Sequence, residues 1–522
     1  MNLMNEQMKS LKQKEILILL LCLLIGFALR FYTFDQKSLW LDEIHTFNDS
    51  RFGFKDQLKF YEENPHYLQP PLFFLLTHQF YPFTKPERDL RIIPLIFGTL
   101  SIPMIYLLAR TFSSSIALPC ALSLTFMAYH IYLSQDGRSY ALLLFLGISG
   151  LYFFMKHLKT LKIRFLFPAA FLFATLFHTS YSSIPFIVFF QILWFYKINE
   201  EKKNPPLSSF LIFNGLLLLF CLPWIIFLVI HYEGQPIMPS FDAIYDISFQ
   251  GIIYGIFHDW VPYPPLMIIS AALLILFPFF SREKRNALVL LAIFLLPIGG
   301  LYLFCKLLNI THFVGAKYFI NFLPLFFISL YLSLHSIRKR LDGMKRFARL
   351  ELLFIILFIA SNLVILLPYY RSEKQDFRSL VAYLKNHLRD GDKVVLRTPG
   401  YIPGLLHYFG VYPEGRFYLY PTLKVSENEM EYRIPLIFQN KKFIITFSKT
   451  YWIQYAIEGN RLWLIVGKTD AKTSKENPSC ILKGYFDGSF AHFNKFPNDV
   501  SMYLFLWDPK SPGEKGIDIP IE

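Results

Sequence analysis

The feature that most constrains the fold of this chain is a series of long apolar runs. A transmembrane helix needs about 20 apolar residues to cross the hydrocarbon core of a bilayer. Runs near this length recur along the chain, which is 54% hydrophobic and 18% aromatic, more apolar than an ordinary soluble enzyme. We therefore predict a polytopic α-helical membrane protein with eleven spans, at residues 15–34, 90–109, 114–133, 139–157, 165–181, 183–197, 208–230, 264–280, 287–307, 316–335 and 351–370.

Basic residues between these runs predict the orientation. If the N-terminus is cytoplasmic, the cytoplasmic loops hold most of the basic clusters, at Arg110; Lys156, Lys159, Lys162 and Arg164; Lys197, Lys202 and Lys203; Arg282, Lys284 and Arg285; and Arg338, Lys339, Arg340, Lys345 and Arg346. This positive-inside pattern also accounts for a net charge of +14, so no nucleic-acid partner is expected. The first outer loop and the tail from about Ser372 are then extracytoplasmic.

A shorter apolar segment, "QPPLFFLLTHQFY" (69–81), is too short to span. Counting it as a span would reverse every later helix and place the basic loops outside. We predict a helix on the outer membrane surface, begun by Pro70 and Pro71, within a group of outer-surface helices near 50–84. The predicted domains are a transmembrane domain, 1–371, and a soluble extracytoplasmic α/β domain, 372–522.

The tail carries the patterns of that α/β domain. "DFRSLVAYLKNHLRDGDKVVL" predicts an amphipathic helix, a glycine turn and a strand, and "KKFIITF", "RLWLIVG" and "VSMYLFLWD" predict further strands. The segment 468–480, rich in Lys, Ser, Thr and Asn, is predicted to be a loop. No cysteine spacing predicts a metal site or a disulfide framework.

An acidic pair in the first outer loop is the first candidate for chemistry. "SLWLDEIHTF" places Asp42 and Glu43 after Trp40, which we assign to the aromatic belt at the membrane edge. A partly dry setting raises a carboxylate's pKa and suits it to general-base catalysis. Neighbours on a helix diverge by about 100°, so one acid can face a cavity while the other binds a basic group. If the turn is helical, Asp42 shares a face with His45. A solvated loop whose acid begins a helix fits the same residues.

Two further outer segments carry charged residues. "YLSQDGRSYALL" brings Asp136, Arg138 and Tyr140 within five positions, and an Arg fork suits phosphate or carboxylate. "THFVGAKYFI" places Lys317 at the outer start of a span, where a cation can hold a lipid-linked phosphate. An interfacial salt bridge and a snorkelling lysine, respectively, explain these residues equally well. His66 and His178 are weaker candidates, since each also fits a structural histidine.

Nucleotide chemistry is not indicated. The chain has no Walker loop, GxGxxG, HExxH or GxSxG motif at a strand–helix junction. Because the acidic candidates lie outside, a substrate that arrives through the lipid fits better than a nucleotide sugar.

The ordered set of segments resembles the bacterial family 39-like glycosyltransferases of the GT-C class, relatives of protein O-mannosyltransferases and aminoarabinose transferases. The pieces are "LWLDE", "QPPLFFLL", "ERDLRIIPLIFGTLSIPMIYLLAR", "LSQDGRSYALLLFL", "AKYFINFLPL" and "DFRSLVAYLKNHLRDGDKVVL". The resemblance covers roughly residues 35–415 and is closest over 35–145. It implies a GT-C fold in the inner membrane and transfer of a sugar from a polyprenyl phosphate on the outer face, with inversion.

The resemblance also implies roles for particular residues. The family's essential Asp corresponds to Asp42 with Glu43 as its neighbour, and its Gln–acid–x–Arg–x–Tyr segment corresponds to Gln135, Asp136, Arg138 and Tyr140. Two positions depart from the family pattern. Gln69 stands where a His often precedes the proline pair, and Lys317 precedes Tyr318 where an Arg is frequent. Lysine keeps the charge but loses the bidentate fork.

These correspondences predict a direct displacement. Asp42 accepts the proton of the acceptor hydroxyl, and Lys317 and Arg138 stabilise the departing lipid phosphate. His45, His66 and His178 are included as substrate-binding residues, and no cofactor or metal is expected. The acceptor is a lipid-linked glycan, lipopolysaccharide or a protein. The alternatives are a glycan ligase or polymerase, and a lipid or polysaccharide transporter. A transporter more often shows inverted repeats or charges in mid-span.

Overall fold

The computed structural model describes residues 2–65, 68–197, 205–233, 248–307, 315–340, 349–413, 423–424, 432–447, 461–508 and 515–521. Helices dominate the first 371 residues. They are α1 (Asn2–Phe31), α2 (Leu41–Asp49), α3 (Phe54–Glu63), α4 (Leu72–His78), α5 (Pro86–Asp89), α6 (Ile92–Phe112), α7 (Ala117–Phe126), α8 (Ala128–Ser134), α9 (Tyr140–Thr160), α10 (Leu166–Thr179), α11 (Ile184–Phe189), α12 (Leu207–His231), α13 (Phe249–Trp260), α14 (Pro264–Phe280), α15 (Lys284–Leu307), α16 (Leu323–Arg340) and α17 (Leu350–Arg371). Three more follow, α18 (Phe377–His387), α19 (Ile402–Phe409) and α20 (Lys468–Lys475).

The predicted spans fall on helical segments, but their number is not confirmed. In the described part of the chain, six helices are long and apolar enough to cross a membrane, and eight if each of two bent pairs is one span. The run 114–133 breaks at Met127, where α7 and α8 meet at a bend of 60°. The run 183–197 yields the short α11 followed by a 3-10 segment, Phe190–Phe195.

One apolar helix was missed by the span prediction. The predicted run starts at Pro264, and α13 lies immediately before it, bent by 114° relative to α14. Pro264 and Pro265 occupy the first turn of α14, where their missing N–H groups cost nothing. The break leaves the polar end of α13, His258 and Asp259, beside an apolar helix start.

The chain divides into two compact units. Unit 1 comprises Met1–Phe34, Pro65–Gln79 and Arg91–Leu367. Within it α9 packs along α6 and α10, and α1 packs on α6 and α7. The fully buried Arg30 at the end of α1 donates to the Leu124 carbonyl at 2.8 Å, and His130 Nδ1 lies 2.8 Å from the same guanidinium nitrogen. A buried charge placed among hydrogen-bond acceptors fixes the end of α1 against α7 and α8.

Unit 2 comprises Asp35–Asn64, Phe80–Leu90 and Pro368–Glu522. Its described strands form a seven-stranded sheet in the order β2-β3-β4-β1-β5-β7-β6. They are β1 (Lys393–Leu396), β2 (Leu423–Lys424), β3 (Tyr432–Phe438), β4 (Lys441–Phe447), β5 (Leu462–Val466), β6 (Ile481–Phe486) and β7 (Met502–Trp507). The central β4-β1-β5 strands are parallel and the flanking pairs are antiparallel.

The segments 35–64 and 80–90, which lie between α1 and α6 in the chain, contribute to the core of unit 2. Leu39, Ile44 and Leu90 are fully buried in one hydrophobic cluster with Leu380 of α18 and Leu405 of α19. These apolar contacts join the segment that carries α2 to the C-terminal sheet. The boundaries of the two compact units therefore differ from the predicted domain boundary between residues 371 and 372.

Most of the helices and strands predicted from the sequence of the tail are present in the structure. The predicted helix, the glycine turn and all four predicted strands are confirmed as α18, Gly391 with φ of +82°, and β1, β4, β5 and β7. The predicted loop at 468–480 is wrong, because 468–475 is α20. Gly467 begins it, Asp470 lies in its first turn, and Ala471 and Ser474 are buried, so two small side chains pack a helix that its polar composition concealed.

Candidate functional site

The acid pair lies on the first turn of α2, in unit 2. Trp40, the residue before the helix, has extended backbone angles, and Glu43 Oε2 accepts a hydrogen bond from its N–H at 3.4 Å. An acidic residue in a first turn is stabilised by the exposed N–H groups of the helix. The turn is therefore helical, and Asp42 and Glu43 point in different directions.

Glu43 is committed to an internal ion pair. Its Oε1 lies 3.6 Å from Nζ of Lys374, and the side chains of both residues are fully buried. Two opposite charges removed from water need each other, because either alone would carry a large desolvation penalty. Lys374 therefore holds Glu43 and, with it, the start of α2.

Asp42 is the more accessible acid of the pair. It is only partly buried, as is His45, three residues on and on the same helical face. Thr46 is buried, and its hydroxyl donates to the Asp42 carbonyl at 3.3 Å. The two acids therefore differ in burial: Glu43 is fully buried and fastens the helix internally, whereas Asp42 is partly exposed.

Several hydrogen bonds fasten the loop before α2. The Ser38 N–H donates to Glu373 Oε2 at 2.9 Å, and the Leu39 N–H donates to the Tyr408 hydroxyl at 2.8 Å. Tyr408 in turn donates to Glu87 Oε1 at 2.9 Å. Burial raises the pKa of Tyr408, so the hydroxyl keeps its proton and remains a donor.

The placement of Trp40 in an aromatic belt is wrong. Its side chain is 4% exposed, and its ring centroid lies 6.0 Å from that of His492 in an edge-on contact. Trp40 is therefore an interior residue, two positions before the acid pair in the sequence. Its position next to a charged loop resembled the edge of a membrane, but hydrophobic packing explains it.

The second candidate group lies in unit 1, after α8. Gln135 is 1% exposed, and its amide donates to the Arg30 carbonyl at 2.8 Å and the Tyr32 carbonyl at 2.6 Å. The next residue, Asp136, is also 1% exposed, whereas Arg138 is only partly buried. Gln135 thus ties this turn to the end of α1 and fixes the position from which Asp136 and Arg138 project.

Lys317 joins the same group in unit 1. It lies in a 3-10 segment, Ala316–Phe322, and its Nζ is 5.7 Å from the ring centroid of Tyr140 and 5.5 Å from that of Tyr318. An ammonium near two ring faces is attracted by their quadrupoles. The buried Tyr129 lies within electrostatic range of Asp136, Tyr140 and Tyr318. The structure therefore brings the predicted Tyr140 and Tyr318 together beside Lys317.

Two residues of this group were missed by the sequence analysis. His258 Nδ1 lies 2.9 Å from Asp259 Oδ1 at the end of α13, and Asp259 is 6% exposed. Asp259 is close enough to interact electrostatically with Lys317 and with Tyr129. An ionisable pair within the apolar segment "GIIYGIFHDWV" was the available signal, because charges are rare in such surroundings unless they are used.

Gln69 and His178 lie elsewhere in unit 1. Gln69 lines a largely apolar cavity of about 540 Å³, together with Tyr181 and Tyr232. His178 Nε2 lies 3.1 Å from the Phe220 carbonyl, a hydrogen bond between α10 and α12 that fits a structural histidine. His66 is outside the described residues. Within the residues that the structure describes, no group of three His, Cys, Asp or Glu side chains is arranged to hold a metal ion.

No protein-family model matches the chain, and no curated protein matches it. Solved structures do. ArnT from Cupriavidus metallidurans in its apo state matches with a TM-score of 0.53 and 10% identity, over 97% of this chain and 100% of that one. ArnT bound to undecaprenyl phosphate matches with a TM-score of 0.47 and 12% identity, over the same shares of both chains.

A third match is the oligosaccharyltransferase of Archaeoglobus fulgidus in complex with zinc and sulfate. It has a TM-score of 0.43 and 14% identity over 74% of this chain and 61% of that one. The apo ArnT match extends over both of the compact units, the helical unit and the unit that contains the sheet. The chain therefore has the fold of ArnT, an enzyme of the GT-C class that the sequence resemblance indicated.

Proposed function

We propose that this protein is an inverting membrane glycosyltransferase that moves a sugar from a polyprenyl phosphate to a cell-envelope acceptor on the outer face of the inner membrane. The observation that carries the proposal is the difference between the two acids on α2: Glu43 is fully buried in an ion pair with Lys374, whereas Asp42 is partly exposed. The shared fold with ArnT supports it. Because one fold can host many activities, the residues of the site must distinguish among them.

The proposed reaction is a single displacement. The acceptor hydroxyl oxygen attacks the anomeric carbon as Asp42 takes the hydroxyl proton. The bond between that carbon and the phosphate oxygen breaks, and its electron pair leaves with the polyprenyl phosphate. The attack from the opposite face inverts the anomeric centre.

In this scheme the cations of unit 1 serve the leaving group. Lys317 and the partly exposed Arg138 are proposed to bind the phosphate and stabilise the charge that develops on it. Phosphate leaves readily, so the scheme needs no general acid. We propose that Asp136, Tyr140 and Tyr318 shape this region, that Gln135 holds its turn in place, and that His45 acts beside Asp42.

The test is the substitution Asp42→Asn in the full-length protein. This change keeps the shape of the side chain and removes the base. We expect transfer to fall by about 10²–10⁴-fold, the contribution typical of a positioned general base. The matched control is Asp56→Asn, an exposed acid on α3 of the same unit, which is expected to leave transfer unchanged.

The readout is sugar transfer from a polyprenyl-phosphate sugar to extracted envelope glycolipids and proteins, with purified variants of equal thermal stability. Wild-type turnover by a folded Asp42→Asn protein would remove Asp42 from the reaction. Transport of the labelled lipid across vesicles without any transfer would instead identify a transporter.

A further inference from the structure

The group around Lys317 contains a buried carboxylate to which the proposed reaction gives no role. Asp259 is 6% exposed and ends α13, a helix that packs on α15 and on the 3-10 segment that carries Lys317. A carboxylate in such an apolar setting is costly unless its charge is balanced. Its balance comes from two sides: His258 Nδ1 at 2.9 Å, and the electrostatic interaction with Lys317.

A lysine binds phosphate as a point charge, and it binds more tightly when its side chain is already held in place. It has a flexible four-carbon stem, and ordering that stem costs up to about 2 kcal/mol of side-chain entropy. Its ammonium has three donors, so one can face a carboxylate while the others face a ligand. The rings of Tyr140 and Tyr318 lie 5.7 and 5.5 Å from the Lys317 Nζ, and Asp259 lies on α13, which packs against the 3-10 segment that carries Lys317. The Asp259 carboxylate interacts electrostatically with that ammonium.

We propose that Asp259, oriented by His258, is a positioning residue that holds the Lys317 ammonium in place for the phosphate of the polyprenyl donor. This inference rests on the proposed function for its ligand. Asp259 acts through Lys317 and is not assigned a contact with the substrate.

The arrangement explains why an acid is tolerated close to a proposed anion site. The contact with His258 Nδ1 at 2.9 Å engages one oxygen of the carboxylate, and the other remains for the interaction with Lys317. Without Asp259, the lysine would sample several rotamers, and each phosphate that binds would have to order it anew.

The test is a double-mutant cycle on the full-length protein, with binding of polyprenyl phosphate in detergent micelles as the readout. We expect Asp259→Asn to raise the Kd for polyprenyl phosphate about tenfold, corresponding to about 1.4 kcal/mol. In a Lys317→Ala background the same substitution should change the Kd less than twofold, because a positioning residue has no effect once its target is absent.

A second variant guards against a folding defect. His258→Asn removes the imidazole that orients Asp259 but keeps the carboxylate, and we expect a smaller rise in Kd that also vanishes in the Lys317→Ala background. The matched control is Glu351→Gln, a mostly buried acid of unit 1 whose carboxylate lies 2.7 Å from Arg338. It should leave the Kd unchanged.

Equal effects of Asp259→Asn in both Lys317 backgrounds would overturn the proposal, since Asp259 would then act independently of Lys317. Tighter binding in Asp259→Asn would also overturn it, because the carboxylate would then oppose the ligand. The binding assay uses no acceptor and no sugar, so it reports on Asp259 even where sugar transfer fails. Failure of the proposed function appears separately, as full turnover in Asp42→Asn.

Discussion

Glu43 and Lys374 form an ion pair that is fully buried, with 3.6 Å between Oε1 and Nζ. This pair links the first turn of α2 to the segment that precedes α18, far apart in sequence but in the same compact unit. It keeps Glu43 in the interior, whereas its neighbour Asp42 is partly exposed. It is also where a single substitution should damage the fold rather than the reaction.

Lys374→Met should destabilise unit 2 by about 3–5 kcal/mol, because it leaves Glu43 buried and unbalanced. Urea unfolding of the full-length protein, followed by proteolysis of the C-terminal segment, measures the effect. Lys55→Met, which changes an exposed lysine on α3, is the control and should be neutral. Adding Glu43→Gln to Lys374→Met should restore much of the loss. An unchanged urea midpoint for Lys374→Met would show that the pair contributes nothing.

The helices and the strand patterns of the tail could be predicted because each depends on residues near one another in sequence. Run length marked the spans, and short apolar runs rich in β-branched and aromatic residues marked β4, β5 and β7. Pattern could not show where a helix bends, so the break at Met127 and the extra helix α13 were missed. The prediction of a loop at 468–480 was wrong because the helix within it, 468–475, buries only Ala471 and Ser474 and so has almost no apolar pattern.

The candidate site was less predictable for a physical reason. Asp42 and Glu43 differ in burial because Lys374 comes to one of them, and that contact is set by tertiary packing. Trp40 was wrongly assigned to an aromatic belt for the same reason: its contact is with His492, which is distant in sequence and close only in the folded protein. Lys317 was named from its position at the start of a span. Asp259 was missed, and its place near Lys317 depends on how α13 packs against the 3-10 segment, which the sequence does not show.

Lys317→Ala should lower kcat/KM for the polyprenyl-phosphate sugar about tenfold to a hundredfold. A hydrogen bond to a charged group contributes about 1.5–3 kcal/mol, which corresponds to that range. Lys317→Arg should retain more activity, because it keeps the charge. Turnover against donor concentration is the measurement. The control is Lys306→Ala, another lysine near a tyrosine ring, with its Nζ 5.8 Å from the Tyr302 centroid. An unchanged curve for Lys317→Ala would support a snorkelling lysine.

The predicted topology places the tail outside and the basic loops inside. With the five native cysteines replaced by serine, Ser372→Cys should react with a membrane-impermeant thiol reagent in intact cells. Lys284→Cys should react only after permeabilisation. The expectation follows from the basic clusters between the spans. Labelling of the Lys284 position in intact cells, with protection at position 372, would reverse the orientation and place Asp42 in the cytoplasm.

His407 gives unit 2 a pH-dependent stability. It is 7% exposed, its ring lies 4.6 Å from that of Phe47, and burial lowers its pKa from 6.5 to about 4. Between pH 6.5 and about 4 the unfolded chain binds a proton that the folded chain does not. The free energy of unfolding therefore falls as the pH falls through this window, by about 3 kcal/mol in total from this group.

His407→Phe removes the titrating group and keeps an aromatic ring in the apolar cluster. The variant should lose most of the stability change between pH 6.5 and 4, measured as the shift in the urea midpoint of unit 2 in the full-length protein. The control is His387→Asn, which alters an exposed histidine of α18 and should keep the wild-type dependence. Because an imidazolium in this cluster would be desolvated beside Phe47, protonation must be coupled to local opening. The same pH dependence in His407→Phe as in the wild type would show that His407 is not its source.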